Sequence, residues 1–160
     1  MKTHSHFVRI LIGLLVGIWM LPAATMAQET SDNMKIVREK LLADRKLFVA
    51  DNMELTEAEG KAFWPVYDEF VQDLQKLGAK GAYLIDDFAR HYQDMTDAKA
   101  KDLLNQLMAY EAEYLALRQD YLPKFRAAIP EKKVTRYYQI ENKIRAIVNY
   151  ELAGQIPLMK

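Results

Sequence analysis

The chain has 160 residues, with 22 Lys and Arg against 22 Asp and Glu, three His and no Cys. The balanced charge gives no general reason to expect nucleic-acid binding, and the lack of Cys excludes disulfides and thiolate metal sites. A chain of this length suits one domain with one hydrophobic core.

Residues 1–27 have the pattern of a secretory signal peptide. A short basic region with Lys2 and Arg9 precedes an apolar run from residue 10 to residue 21, and the small residue Ala27 provides a cleavage point. We therefore expect an exported mature domain that is not stably inserted in the membrane.

The mature domain predicted by this cleavage is residues 28–160. The alternative is an uncleaved membrane anchor, because residues 10–28 carry no charge and are just long enough to cross a bilayer. Pro22 and the small residues before the cleavage point favour cleavage.

A first helix is predicted from Ser31 or Asp32 to about Asn52. Its bases, among them Lys35 and Arg38, are interleaved with acids, which favours a partly solvated amphipathic helix. The alternative is a basic amphipathic segment that contacts anionic partners or a membrane surface.

The second helix is predicted to begin at a capping box. Thr56 can accept a hydrogen bond from the backbone while Glu59 reaches back to the N–H of the cap residue. Apolar residues then follow at steps of four and three, which indicates a long helix packed on others. They are Phe63, Tyr67, Phe70, Leu74, Leu77, Gly81, Leu84 and Phe88.

Three residues interrupt this pattern. Pro65 predicts a kink near the start of the helix. Gly78 and Gly81 lower helix propensity, and they indicate curvature, a close approach of backbones or a hinge. Because the spacing continues beyond both glycines, we expect curvature rather than a break.

The third helix is predicted to begin at Thr96, which can cap it although Lys99 cannot complete a capping box. Its predicted buried stripe is Leu104, Leu107, Tyr114, Leu117, Tyr121 and Phe125. Pro123 predicts a kink or a local break near Leu122.

The fourth helix is predicted from Glu131 to about Leu152, with Gly154 as its stop signal. Glu141 falls on its apolar stripe and therefore needs a partner. Arg145 lies on the same face, and Arg118 could reach Glu141 if the third and fourth helices pack antiparallel. We expect a structural ion pair rather than a proton-linked site.

The sequence thus predicts an all-α domain of four long helices. The longest would extend about 50 Å, which exceeds a compact globule of this size and favours an elongated, curved, hairpin-type arrangement. A thin monomer buries little surface, so we also expect a homodimer.

Candidate catalytic groups are few. His91 is the one histidine of the mature chain, and a packed or solvent-facing role is the simplest interpretation. No glycine-rich phosphate loop or ligand-spaced metal motif occurs. We therefore expect no enzyme activity, no metal and no cofactor.

Two short segments support a family resemblance. Leu55 to Glu59 reads Leu-Thr-Glu-Ala-Glu, and Met95 to Lys99 reads Met-Thr-Asp-Ala-Lys. They resemble degenerate copies of the paired Leu-Thr-x-x-Gln motifs of the periplasmic Spy/CpxP-like family. Glu59 and Lys99 replace the Gln of that motif, so a contact made by Gln is not expected at Lys99.

The resemblance implies a cradle-shaped helical dimer in the periplasm of a Gram-negative bacterium. Such a protein would hold unfolded or misfolded envelope proteins without ATP. The alternative is a regulatory module that docks on a periplasmic sensor domain in the envelope stress response. Candidate client contacts are basic residues beside aromatic ones, namely Lys35, Arg38, Lys132, Lys133 and Arg136.

Overall fold

The computed structural model of the chain describes residues 45–159, in which four helices follow one another and no strand occurs. They are α1 (Arg45–Met53), α2 (Glu57–His91), α3 (Asp97–Ala128) and α4 (Glu131–Gln155). The predicted all-α class is confirmed. Homodimerisation and the elongated, curved arrangement stay predictions. The signal peptide, most of the predicted first helix, Lys35 and Arg38 lie outside the described residues.

The two predicted caps are confirmed. Thr56 Oγ1 accepts the N–H of Glu59 at 3.3 Å, and Glu59 Oε2 accepts the N–H of Thr56 at 2.8 Å. At α3, Thr96 Oγ1 accepts the N–H of Lys99 at 3.2 Å. The Lys99 ammonium, which cannot complete that box, instead reaches Asp87 at the end of α2. Both long helices therefore begin where the sequence signals place them.

The prolines do not break the helices. α2 continues through Pro65, and α3 continues through Pro123 to Ala128, so the local break predicted near Leu122 is wrong. α2 is also unbroken at both glycines. A Cβ on Gly81 would lie 3.1 Å from the Tyr110 ring, whereas one on Gly78 would meet nothing within 4 Å. Gly81 thus allows α3 to approach α2 closely.

The predicted stop at Gly154 is wrong, because Gly154 lies inside α4. The helix ends at Gln155, and Ile156 follows in an extended conformation, its N–H bonded to the carbonyl oxygen of Leu152. Proline disfavours the α conformation of the residue before it, and Pro157 directly follows Ile156. Proline rather than glycine therefore terminates α4.

The three long helices run in alternating directions. Pairs between α2 and α3 join residues in reverse order, since Lys124 bonds Glu69 and Lys80 bonds Glu113. α4 in turn runs antiparallel to α3. Between these two helices Tyr138 donates to the carbonyl oxygen of Arg118, and further along Arg145 pairs with Glu111.

The core is densest where the start of α2, the end of α3 and the start of α4 meet. We call the aromatic residues there the aromatic cluster: Phe63, Tyr67, Phe70, Tyr121, Phe125 and Tyr137, all buried. The Phe125 and Tyr137 ring centroids are 4.5 Å apart, and Phe63 lies 5.2 Å from Tyr137. Aromatic pairs at such separations stabilise a core beyond the area that they bury.

None of the described helices is both long and apolar enough to cross a membrane.

Candidate interaction surface

Two of the predicted client contacts hold the link between α1 and α2. Lys133 Nζ bonds the carbonyl oxygen of Glu54 at 2.5 Å and Glu59 Oε2 at 2.8 Å. Arg136 donates from Nε to the carbonyl oxygen of Asn52 at 2.6 Å and from Nη2 to Glu54 Oε1 at 2.7 Å. Both cations are therefore already engaged in intramolecular bonds.

These bonds fix an unusual backbone conformation. Glu54 has φ 51°, in the left-handed region that residues other than glycine seldom adopt. The hydrogen bond from Lys133 is the largest of the effects that lower the pKa of the Glu59 carboxyl. Lys132, by contrast, is exposed on α4. A role of these three cations in client binding stays a prediction.

His91 is tied to its own helix. Its Nδ1 lies 2.9 Å from the carbonyl oxygen of Asp87 and 3.1 Å from the carboxylate Oδ1 of the same residue. Among residues 45–159, no group of three or more His, Asp and Glu side chains is arranged to hold a metal ion. The His91 side chain is 42% exposed, which lies within the packed or solvent-facing role expected from the sequence.

Glu141 is buried on α4, as its place on the apolar stripe predicts. Neither predicted partner binds it, because Arg145 pairs with Glu111 and Arg118 donates to Asn142 Oδ1 at 3.0 Å. The register of α3 and α4 places these other side chains opposite the two arginines. The proposed ion pairs of Glu141 with Arg118 and Arg145 are therefore wrong.

A row of exposed apolar residues lies on α3. Leu104, Met108 and Leu115, which we call the α3 row, are 58%, 54% and 52% exposed. Their steps of four and seven residues keep them on one face of the helix. Glu111, which pairs with Arg145, lies between Met108 and Leu115 on this face. Grouped apolar residues on a surface mark an interaction site more strongly than scattered ones.

The exposure of the α3 row shows that the buried stripe predicted for the third helix is partly wrong. The sequence pattern places Leu104 in the core, but its neighbour Leu103 is buried instead, and Leu107 is 40% exposed. Leu103 lies eleven residues before Tyr114, close to three full helical turns, whereas Leu104 lies ten residues before it, so the spacing to Tyr114 favours Leu103 as the buried leucine. The sequence pattern did not single out Met108 and Leu115, because they lie outside the predicted buried stripe of this helix.

Two arginines lie beside the α3 row, around the ring of Tyr114. The guanidinium of Arg145 is 4.3 Å from the centroid of this ring, and that of Arg118 is 5.8 Å away. Arg118 also lies 5.2 Å from the centroid of the Tyr138 ring. Burial raises the pKa of the Tyr138 hydroxyl, and the positive charge of Arg118 acts against that shift.

The two guanidinium groups differ in their partners. Arg145 is neutralised by Glu111. Arg118 is half-buried, its Nη2 donates to the neutral amide of Asn142, and its Nε has no hydrogen-bond partner. Within the described part of the chain, no carboxylate lies at ion-pair distance from Arg118. The site therefore carries one positive charge that no carboxylate offsets.

A separate groove runs between α2 and α3. It encloses about 460 Å³ and is lined by residues that include Tyr83, Leu84 and Tyr110. Lys80 and Glu113 pair across it at 2.6 Å. The groove thus has no uncompensated charge of its own, unlike the surface around Arg118.

Comparisons with family models, with curated proteins and with solved structures gave no match to the chain.

Proposed function

We propose that this protein is an exported, ATP-independent chaperone-like binder of unfolded or misfolded envelope proteins. The observation that carries the proposal is the α3 row, three large apolar side chains held at the surface of a long helix. The family resemblance and the signal-peptide pattern support the periplasmic location that we propose. In this proposal the mature protein acts as a homodimer.

The α3 row offers the kind of contact that unfolded chains seek. It extends over about 17 Å of helix, enough to contact several apolar side chains of an extended or helical segment. Burial of apolar surface gives about 25 cal/mol per Å², so a few such contacts would support reversible rather than permanent binding. Weak binding of this kind suits a protein that releases its clients without ATP.

A second candidate function is a regulatory module that docks on a periplasmic sensor domain. The uncompensated charge of Arg118 beside the α3 row favours it, because a fixed charge beside apolar residues can select one partner. The two functions differ in selectivity: a chaperone would suppress the aggregation of many clients, whereas a docking module would bind one.

Light scattering of a chemically unfolded model client tests the proposal, with the protein produced from the full-length chain and without ATP. We expect near-stoichiometric protein to suppress aggregation, and the double variant Met108→Gln and Leu115→Gln to suppress it several-fold less. Tyr150→Gln is the control, because Tyr150 is 78% exposed but lies off the row. No suppression by folded, helical wild-type protein would overturn the chaperone proposal.

A further inference from the structure

The surface that combines the α3 row with Arg118 has a defined spacing. Leu104, Met108, Leu115 and Arg118 follow at steps of four, seven and three residues. With Glu111, which pairs with Arg145, between Met108 and Leu115, this is the spacing of positions that face a partner helix in a heptad pattern. The four side chains extend over about 21 Å, the length of four helical turns.

The charge at one end of this surface has no complement within the described residues. Glu111, the carboxylate nearest along α3, already binds Arg145. The bond from Arg118 Nη2 to Asn142 lies at the surface, so a partner can reach the Nη end of this guanidinium, whereas its Nε is buried. Arginine binds carboxylates through two parallel hydrogen bonds, and this geometry makes it selective for them.

We propose that this surface binds an amphipathic helical segment of a partner protein that carries an acidic residue at one end of its apolar face. The apolar side chains pack on the α3 row, and the carboxylate binds the guanidinium of Arg118. The inference rests on the proposed function, since it specifies which segments the α3 row accepts. It requires neither Lys133 nor Arg136, which hold the link between α1 and α2.

Charge complementarity decides between possible occupants. A purely apolar segment would leave the positive charge of Arg118 beside a newly formed apolar contact, and loss of water around an unpaired charge is costly. A basic segment would add repulsion. An acidic residue removes the cost of leaving the Arg118 charge unpaired. Because Arg118 lies at one end of the surface, this pairing also fixes the direction in which the segment lies along α3.

Fluorescence anisotropy with three labelled 16-residue peptides tests the proposal on the protein produced from the full-length chain. The first peptide has leucines at heptad spacing and one terminal Glu on the same face. The second has Gln in place of Glu, and the third has Pro at its centre, which prevents a helix. We expect the Glu peptide to bind about tenfold more tightly than either, in the range of a charge-assisted hydrogen bond.

Two arginine variants on α3 test whether the preference for Glu depends on the charge of Arg118 itself or on any positive charge of this helix. Arg118→Gln should remove the preference for Glu over Gln, whereas Arg126→Gln should keep it, because Arg126 is already paired with Glu131. Asn142→Ala removes the hydrogen bond from Arg118 Nη2 to Asn142 but leaves the guanidinium, so it should also keep the preference. Circular dichroism verifies that each variant is folded.

Three results overturn the inference in different ways. Equal binding of the Glu and Gln peptides shows that Arg118 selects no carboxylate, although the chaperone proposal then stands if aggregation is still suppressed. Equal binding of the Pro peptide shows that the bound segment is not helical. If Met108→Gln with Leu115→Gln leaves peptide binding unchanged, the bound segment does not occupy the α3 row.

Discussion

The ammonium of Lys99 at the start of α3 lies 2.6 Å from the carboxylate of Asp87 near the end of α2. Asp87 is only 7% exposed, and His91 lies against its other oxygen. An ionic contact therefore joins the two longest helices at the turn between them. Removal of the Lys99 charge leaves the buried Asp87 carboxylate with His91 alone beside it, which should cost stability.

Lys99→Gln should lower the thermal midpoint of unfolding by several degrees, because it leaves the Asp87 carboxylate without its ammonium. Lys101→Gln is the matched control, since Lys101 is exposed two residues further along the same helix. Differential scanning calorimetry measures both variants. Equal midpoints for the two variants would show that the ionic contact adds no stability.

The same contact predicts a dependence on pH. The hydrogen bond from Lys99 lowers the pKa of the Asp87 carboxyl below its ordinary value of 3.8. A depressed folded-state pKa contributes stability above the unfolded value, and this contribution is lost as the pH falls through the folded value. We expect Asp87→Asn to be less stable than wild type at pH 7, with the difference shrinking below about pH 4. A difference that is constant from pH 7 to pH 2 would contradict this assignment.

The two central glycines of α2 should respond differently to alanine. Gly78→Ala should raise the free energy of unfolding by about 0.5–1 kcal/mol, because alanine favours a helix and nothing lies near the new methyl group. Gly81→Ala adds a methyl group 3.1 Å from the Tyr110 ring and should lose most of this gain. Urea denaturation compares the two variants, and equal gains would show that the Tyr110 ring moves aside freely.

The neighbouring lysines of α4 should also differ. Lys133→Gln should lower stability and speed proteolysis near Glu54, because it removes the bonds that hold the link between α1 and α2. Lys132→Gln should change neither property. Limited proteolysis followed by mass spectrometry locates the cuts. If Lys132→Gln alone weakens the suppression of client aggregation, Lys132 is a client contact and Lys133 a structural residue.

Truncation in the aromatic cluster should be the most damaging single change. Phe125 is fully buried between the rings of Phe63 and Tyr137, and Phe125→Ala should destabilise the protein by about 3–5 kcal/mol. Tyr83→Ala changes an exposed aromatic residue on α2 and should stay within about 0.5 kcal/mol of wild type. Chemical denaturation measures both, and a small loss for Phe125→Ala would mean that the cluster collapses around the vacancy.

The sequence predicted the helices better than their contacts. The starts of α2 and α3 could be read because Thr56 and Thr96 cap the helices within three residues. Local signals of this kind need no knowledge of the tertiary structure. The predicted end of α4 was wrong because Gly154 was taken as the stop signal. Pro157, two residues beyond Gln155, disfavours the helical conformation of the residue before it and ends the helix.

The candidate surface was harder to predict, because it depends on which sides of α3 are covered. Leu103 is in phase with the buried Tyr114 and Tyr121, but the packing of α2 and α4 decides which neighbouring residues of α3 stay exposed. The structural role of Lys133 could not be predicted either, because it too depends on tertiary contacts. Its bond to Glu54 joins residues 79 positions apart, which no local pattern reveals.

The aromatic cluster lies at only one end of the pair formed by α2 and α3, so the two ends of this pair should differ in how readily they unfold locally. Backbone amides near Phe63 and Phe125 should exchange with solvent only when the whole domain unfolds. Amides near Leu104 and Met108, far along α3 from the cluster, should exchange through smaller openings. The α3 row would then lie where the helices separate most easily, so its side chains could adjust to partners of different shape while the other end stays closed.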